Sequence, residues 1–262
     1  QVSVAAAPLF QRAAVTEAFD RLIVPGTDAV ICNHVSNVFG FVQPVEEIAA
    51  LCRDRGVPFI IGASQSAGLL TLDMTALGAA FIAMPGHKGL YGPQGTGVLI
   101  CGRDAPVRTV LEGGTGSQSL EQAMPNFLPD RLEAGTHNMP GIAGLLAGVR
   151  FVRKVGPEAI CQEERRLTLL AAEGLRRVPG IRVYARPDLE AQVGVLSLVP
   201  EKMDPETLGA ALADRGIAVR AGLHCAPLAH RSAGTLETGT VRVSLSHWNT
   251  REEIGRYLGA RG

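Results

Sequence analysis

The strongest constraint on the fold is a change of rhythm part-way along the chain. Up to about residue 139, short apolar runs alternate with helical patterns; from Pro140 on, two long helical stretches are followed by scattered short strands. Asp28 to Cys32 reads as a buried strand, Val45 to Arg55 as a helix ending at Gly56, and Val57 to Ile61 as a second strand. Met74 to Leu77 reads as a short link, Ala79 to Met84 as a third strand before a Gly-rich loop, and Gly97 to Cys101 as a fourth that could run antiparallel. Strands alternating with helices predict an α/β fold with a mainly parallel sheet and helices on its faces. Helices are then expected over Gly141 to Val155 and Glu158 to Val178, separated by Gly156-Pro157. Strands at Arg182 to Ala185, Val193 to Leu198, Ala218 to Ala221 and Val241 to Ser244, with helices at Pro205 to Arg215 and Arg251 to Leu258, predict a small α+β unit. The division falls at residues 1–140 and 141–262.

Composition closes several routes. The 25 basic and 25 acidic residues cancel, which predicts no attraction to nucleic acid or membrane through net charge. No apolar run is long enough to span a bilayer. Gln1 to Pro8 lacks the basic flank of a signal peptide, and the absence of a start methionine suggests a fragment or a processed chain. Cys32, Cys52, Cys101, Cys161 and Cys225 are odd in number and form no C-x-x-C pair, which argues against a disulfide framework or structural zinc and suits a reducing cytosol.

Open α/β sheets bind ligands at the carboxyl ends of their strands. The three strand ends carry Asn33-His34-Val35-Ser36-Asn37, Gly62-Ala63-Ser64-Gln65-Ser66 and Pro85-Gly86-His87-Lys88-Gly89, and the fold would bring them together. Lys88 lies between glycines that let a ligand approach the backbone; partial desolvation would ease loss of its proton and Schiff-base chemistry. A solvated loop lysine is the plainer alternative. Gly92 to Gly97 lacks the Lys-Ser/Thr of a nucleotide P-loop, and Gly62 to Ser66 lacks the last glycine of a hydrolase nucleophile elbow. Gly113 to Ser117 could offer N–H groups to a phosphate or could be a surface loop. Cys225, within Arg220 to Pro227, is the candidate reactive thiol, because a neighbouring histidine or arginine can favour the thiolate. The other four cysteines read as buried and inert. His224, Cys225 and His230 match no closed zinc spacing.

The run Asn33 to Gly40, the Gln65-Ser66-Ala67-Gly68 turn, and Gly86-His87-Lys88 with Tyr91-Gly92-Pro93 resemble the aminotransferase class V fold, and within it the cysteine desulfurases. Glu133 to Thr136 with Asn138, Arg220 to Ala226, and Arg242-Val243-Ser244 with Asn249-Thr250 extend the likeness over about residues 28 to 258. The Leu223 to His230 stretch and the Gly113 to Ser117 loop look like a bacterial branch of desulfurase-like proteins. The resemblance implies pyridoxal 5'-phosphate (PLP) as cofactor, carried by Lys88, which would also move the substrate Cα proton. It implies that His87 sits beside the cofactor, that Asn37 and Gln65 contact the ring hydroxyl, and that Arg242 clamps the substrate carboxylate. Cys225 would take sulfur from L-cysteine as a persulfide, leaving L-alanine, and a sulfur-acceptor protein would receive it. Thr115 would reach the partner subunit's cofactor phosphate, which implies a homodimer.

Three departures accompany the likeness. The family has an aspartate, paired with the ring nitrogen, where this chain has Gly62; Asp73 is an acid close in sequence. A Ser or Thr is usual where Pro85 stands. Family members also carry roughly another hundred residues upstream, a little under one average domain, with a phosphate-binding helix start and a ring-stacking aromatic. A non-catalytic remnant serving as a dimer partner, or a selenocysteine lyase-type enzyme, are the alternative expectations.

Overall fold

The computed structural model describes residues 1–186 and 189–259. Its first sheet has the order β1-β2-β3-β4, built from Val30–Asn33 (β1), Phe59–Gly62 (β2), Phe81–Pro85 (β3) and Gly97–Cys101 (β4). β1, β2 and β3 run parallel and β4 runs antiparallel to β3. The Gly-rich connection between β3 and β4 is too short to carry a crossover helix, so the fourth strand can only turn back.

Helices α1 (Arg12–Leu22), α2 (Val45–Asp54) and α3 (Met74–Leu77) accompany this sheet. Alternate strand residues explain the layer. Val30 and Cys32 of β1, Phe59 and Ile61 of β2 and Ile82 of β3 join Val45, Ile48 and Cys52 of α2 in one core. Helices on both faces are not what the described residues build. Ile31, on the opposite face of β1, is 70% exposed, and Leu99 of β4 is 52% exposed. An open hollow of about 910 Å³ runs over that side, lined by Gly62, Ala83, Pro85, Leu99, Cys101 and Leu128 among others.

Other expectations are corrected too. The short link Met74 to Leu77 is a one-turn helix, because the Asp73 carboxylate accepts from the N–H groups of Thr75 and Ala76. That commitment uses Asp73 as a cap. Cys101 is half-exposed rather than buried, because β4 is an edge strand with its residues open to solvent, whereas Cys32, Cys52 and Cys161 are buried. Helix α1 carries a sparse apolar stripe, with only Val15 and Ala18 buried, and its pattern gave no sequence signal.

Two long helices, α4 (Met139–Val155) and α5 (Pro157–Arg176), lead to the second half. Asn138 caps α4 by accepting from the Gly141 N–H, with Pro140 in the first turn, where a missing N–H costs nothing. The second sheet has the order β5-β6-β8-β7 and is antiparallel throughout: Ile181–Tyr184 (β5), Val195–Pro200 (β6), Arg220–Gly222 (β7) and Thr240–Ser244 (β8). Helices α6 (Pro205–Ala213), α7 (Pro227–Ala233) and α8 (Arg251–Gly259) complete it. Leu167, Ala171 and Leu175 of α5 pack on Leu196 and Leu198 of β6 and Val241 and Val243 of β8.

The two halves are stitched at the segment after β1. Its Val38 carbonyl accepts from Ser197 Oγ of β6 (2.6 Å), and its Phe39 carbonyl accepts from the fully buried Gln192 Nε2 (3.0 Å). Ser36 Oγ turns that segment by accepting from the N–H groups of Val38 and Phe39. A third core of Val35, Val42, Leu69, Val152, Ile160, Val193 and Val195 seals the join. No helix among the described residues is long and apolar enough to cross a membrane.

Candidate functional site

A pocket of about 300 Å³ opens at this join, at the carboxyl ends of β1, β2 and β3. Asn37, Gln65 and Lys88 reach it from the first sheet's strand ends, Arg242 and Ser244 from β8, and Glu164 from α5. Tyr91, Gly194, Leu245 and Ser246 complete much of the lining.

Each polar wall is anchored. Asn37 Nδ2 donates to the His224 carbonyl at 2.8 Å, and Arg242 Nη1 donates to the Asn37 carbonyl at 3.0 Å. Arg242 Nε is buried without a partner among the described residues. A half-buried guanidinium with an unused buried donor fits an anionic group brought in by a ligand. Burial, reinforced by the Arg242 charge, pulls the Lys88 ammonium below the usual lysine range. A lysine that gives up its proton more readily is the form that condenses with a carbonyl.

Cys225 lies just outside this lining. It is exposed, and it and His224 both take left-handed backbone, φ 59° and 51°, where non-glycine residues are uncommon. The turn is held beneath by His224, whose Nε2 lies 3.2 Å from both the Thr240 carbonyl and Thr240 Oγ1. Burial, and then the Arg242 charge, push His224 down to about 4. His224 is therefore neutral at neutral pH and lends Cys225 no positive charge, contrary to the help expected of a neighbouring histidine. Helix α7 begins two residues after Cys225, at Pro227, and its His230 is fully buried with Nδ1 2.8 Å from Thr235 Oγ1.

The fold thus gathers Asn37, Gln65, Lys88 and Arg242. His87 is exposed and does not line the pocket. Thr115 lies far along an irregular loop, its hydroxyl 2.9 Å from Ser117 Oγ. Gly62 closes β2 and lines the open hollow together with Pro85.

Glu164 escaped the sequence reading. It sits within Glu163-Glu164-Arg165-Arg166, which reads as a solvated helix face, yet it is 5% exposed. A signal existed: Ile160, Glu164 and Thr168 fall four residues apart on the stripe that α5 buries. Burial raises its carboxyl to about 7, against the opposing effect of hydrogen bonds from the backbone N–H groups of His247 and Gly194.

The aminotransferase class-V family model matches residues 2–257. A probable cysteine desulfurase of Pyrococcus abyssi is 34% identical over 241 residues, covering 90% of this chain and 59% of the relative. One from Methanothermobacter thermautotrophicus is 37% identical over 87% of this chain and 58% of its own length. Among solved structures, the apo cysteine desulfurase of Thermococcus onnurineus NA1 superposes with a TM-score of 0.82 at 33% identity, covering 93% of this chain and 61% of that one. The cysteine desulfurase CsdA of Escherichia coli gives 0.84 at 26% identity, covering 97% and 63%. The chain therefore spans about three-fifths of the length of these four proteins.

Proposed function

The chain belongs to the aminotransferase class-V family, and on that premise we propose that it acts as a PLP-dependent cysteine desulfurase, converting L-cysteine to L-alanine and leaving the sulfur on Cys225. The observation that carries this reading is the meeting of Lys88, Asn37, Gln65 and Arg242 in one pocket drawn from both halves of the chain. Those residues fit PLP at its reactive end: an easily deprotonated amine, amide groups beside it, and a guanidinium with a free buried donor.

PLP, when bound, supplies the electron sink for chemistry at the substrate Cα. The chain's own residues do the rest. Lys88 Nζ carries the cofactor and moves the Cα proton. Arg242 binds the substrate carboxylate through its planar fork. Cys225 Sγ, as thiolate, attacks the substrate sulfur: an S–S bond forms, the substrate C–S bond breaks, and the carbon fragment takes a proton and leaves as alanine. His87 beside the cofactor, Thr115 on the partner's cofactor phosphate, a homodimer, a protein acceptor for the sulfur and a cytoplasmic setting belong to the same reading. So does a division into units 1–140 and 141–262. Incubation with PLP and L-cysteine should yield alanine and add one sulfur atom to the Cys225 peptide. Alanine formed with the sulfur on no cysteine would contradict the role given to Cys225.

Gly62 favours the second reading, a non-catalytic dimer partner, because a glycine offers no carboxylate to the ring nitrogen and Asp73 is spent capping α3. The backbone leaves room for one. The nearest atoms a Cβ at Gly62 would meet belong to Asn33 and Cys32, at 3.6 to 3.9 Å, in an ordinary conformation. Gly62→Asp should therefore fold and tighten PLP retention about ten- to hundredfold, the worth of one charge-assisted hydrogen bond. Equilibrium dialysis of PLP against both forms measures it, and unchanged retention would mean that position 62 does not face the ring.

A further inference from the structure

Three polar residues stand in a row across the second sheet. Ser197 of β6 lies directly opposite Arg242 of β8, and Arg242 lies directly opposite Arg220 of β7. Facing residues of an antiparallel pair project from the same side of the sheet, so all three look toward the join between the two halves. Two of them are tied down there. Ser197 Oγ donates to the Val38 carbonyl at 2.6 Å, and Arg242 Nη1 donates to the Asn37 carbonyl at 3.0 Å, so the row grips consecutive carbonyls of the segment after β1. Arg220, the third of the row, stands on the edge strand and grips nothing. It is exposed, and among the described residues its guanidinium has neither a hydrogen-bond acceptor nor an acid to pair with.

Such a placement is unfavourable unless something is added to it. Like charges directly across an antiparallel pair repel each other. Among the described residues no carboxylate comes within ion-pair distance of either arginine. The Arg220 charge is felt inward: after burial, it is the influence that lowers the Arg242 guanidinium. The pocket wall already sets two cations, Lys88 and Arg242, against a single acid, Glu164, and Arg220 adds a third cation beside them. Arg242 Nε is buried and unpartnered as well. Two guanidiniums side by side with no acid between them are a receptor for an anion from outside. β7 also ends at Gly222, three residues before Cys225, so Arg220 stands where the pocket wall runs into the turn that bears the thiol.

We propose that Arg220 is a second substrate-binding residue, which shares the carboxylate of the amino-acid substrate with Arg242. The inference rests on the reading of the pocket as the substrate site. A carboxylate has two oxygens and about four lone-pair sites, enough to accept from two guanidinium forks at once. An amine without a carboxylate gains nothing from the pair.

Two ligands separate the carboxylate from the rest of the substrate: L-alanine, the product of the proposed reaction, and ethylamine, which is alanine without its carboxylate. Both are titrated into the PLP-loaded chain and followed by visible absorption. Arg220→Gln should cut the preference for L-alanine about tenfold, as expected of losing one charge-assisted hydrogen bond, and leave ethylamine binding unchanged. Arg220→Lys, which keeps the charge and loses the fork, should fall between. A preference that Arg220→Gln leaves intact overturns the proposal. If sulfur delivery to an acceptor protein falls in that variant while the preference stays, the arginine serves the acceptor and not the substrate. A second arm needs no cofactor. At equal ionic strength, malonate should raise the thermal midpoint of the cofactor-free chain above its value in chloride, and should raise that of Arg220→Gln less. Equal shifts in the two forms overturn the proposal. A chain that takes up no PLP while the malonate difference holds would sink the desulfurase reading and leave the two-arginine clamp standing.

Discussion

Cys225→Ala should abolish sulfur transfer to the protein while leaving PLP on Lys88 untouched. The separation is expected from the geometry. Cys225 does not line the pocket, and its side chain carries none of the contacts that hold the wall. The turn is fixed by the His224 carbonyl on Asn37 and by the His224 ring on Thr240. Removing Sγ therefore removes the acceptor of sulfur and little else. None of the other cysteines is placed to stand in for it. Cys32 and Cys52 are buried with thiols pushed up to about 12 and about 11, chiefly by burial, and Cys161 is buried and shifted in the same direction. Thiols held in that form are poor nucleophiles. Half-exposed Cys101 lies on β4, over the open hollow and outside the pocket. Mass analysis of each cysteine peptide after cysteine turnover checks the expectation. Unreduced persulfide formation in Cys225→Ala would move the acceptor elsewhere.

The second large effect is a loss of stability in acid. His34 and His224 are 3% and 5% exposed, and burial pushes both down to about 4. In the unfolded chain a histidine takes its proton near 6.5. Between those values the unfolded state holds more protons than the folded one, so stability falls as pH drops through the window. Each histidine contributes up to about 3 kcal/mol of that loss. Buried His230 is shifted in the same direction, by burial. Glu164 works the other way. Its folded carboxyl protonates near 7, before the unfolded one at 4.5, so acidification between those values adds about 3 kcal/mol and cancels one histidine's share. The net expectation is a fall of about 3 kcal/mol or more from pH 6.5 to 4. Urea midpoints measured across that range should move down, and less steeply in His34→Gln. A flat profile would mean that these imidazoles are not held neutral.

Much of this was legible in the sequence, for reasons that can be assigned. The strand ends carrying Asn37, Gln65 and Lys88 were readable because buried strands declare themselves as apolar runs, and open sheets present ligands at those ends. Arg242 was found through the family likeness alone, since nothing local distinguishes an arginine in Thr240–Ser244. The direction of β4 and the bareness of one sheet face depend on what the strands meet in space, which a pattern of apolar residues does not record. Glu164 shows the same limit at one residue. Its charge-rich neighbourhood suggests solvent, and only its phase on α5 betrays burial. The partner of that buried charge, a pair of backbone N–H groups from Gly194 and His247, has no side-chain signature at all.

The most direct test of the central claim is to load the chain with PLP, reduce it with borohydride and map the modified peptide. The account predicts one PLP adduct, on Lys88, which disappears in Lys88→Ala. A folded chain that takes up no PLP, or carries it on a surface lysine such as Lys154 or Lys202, would contradict it.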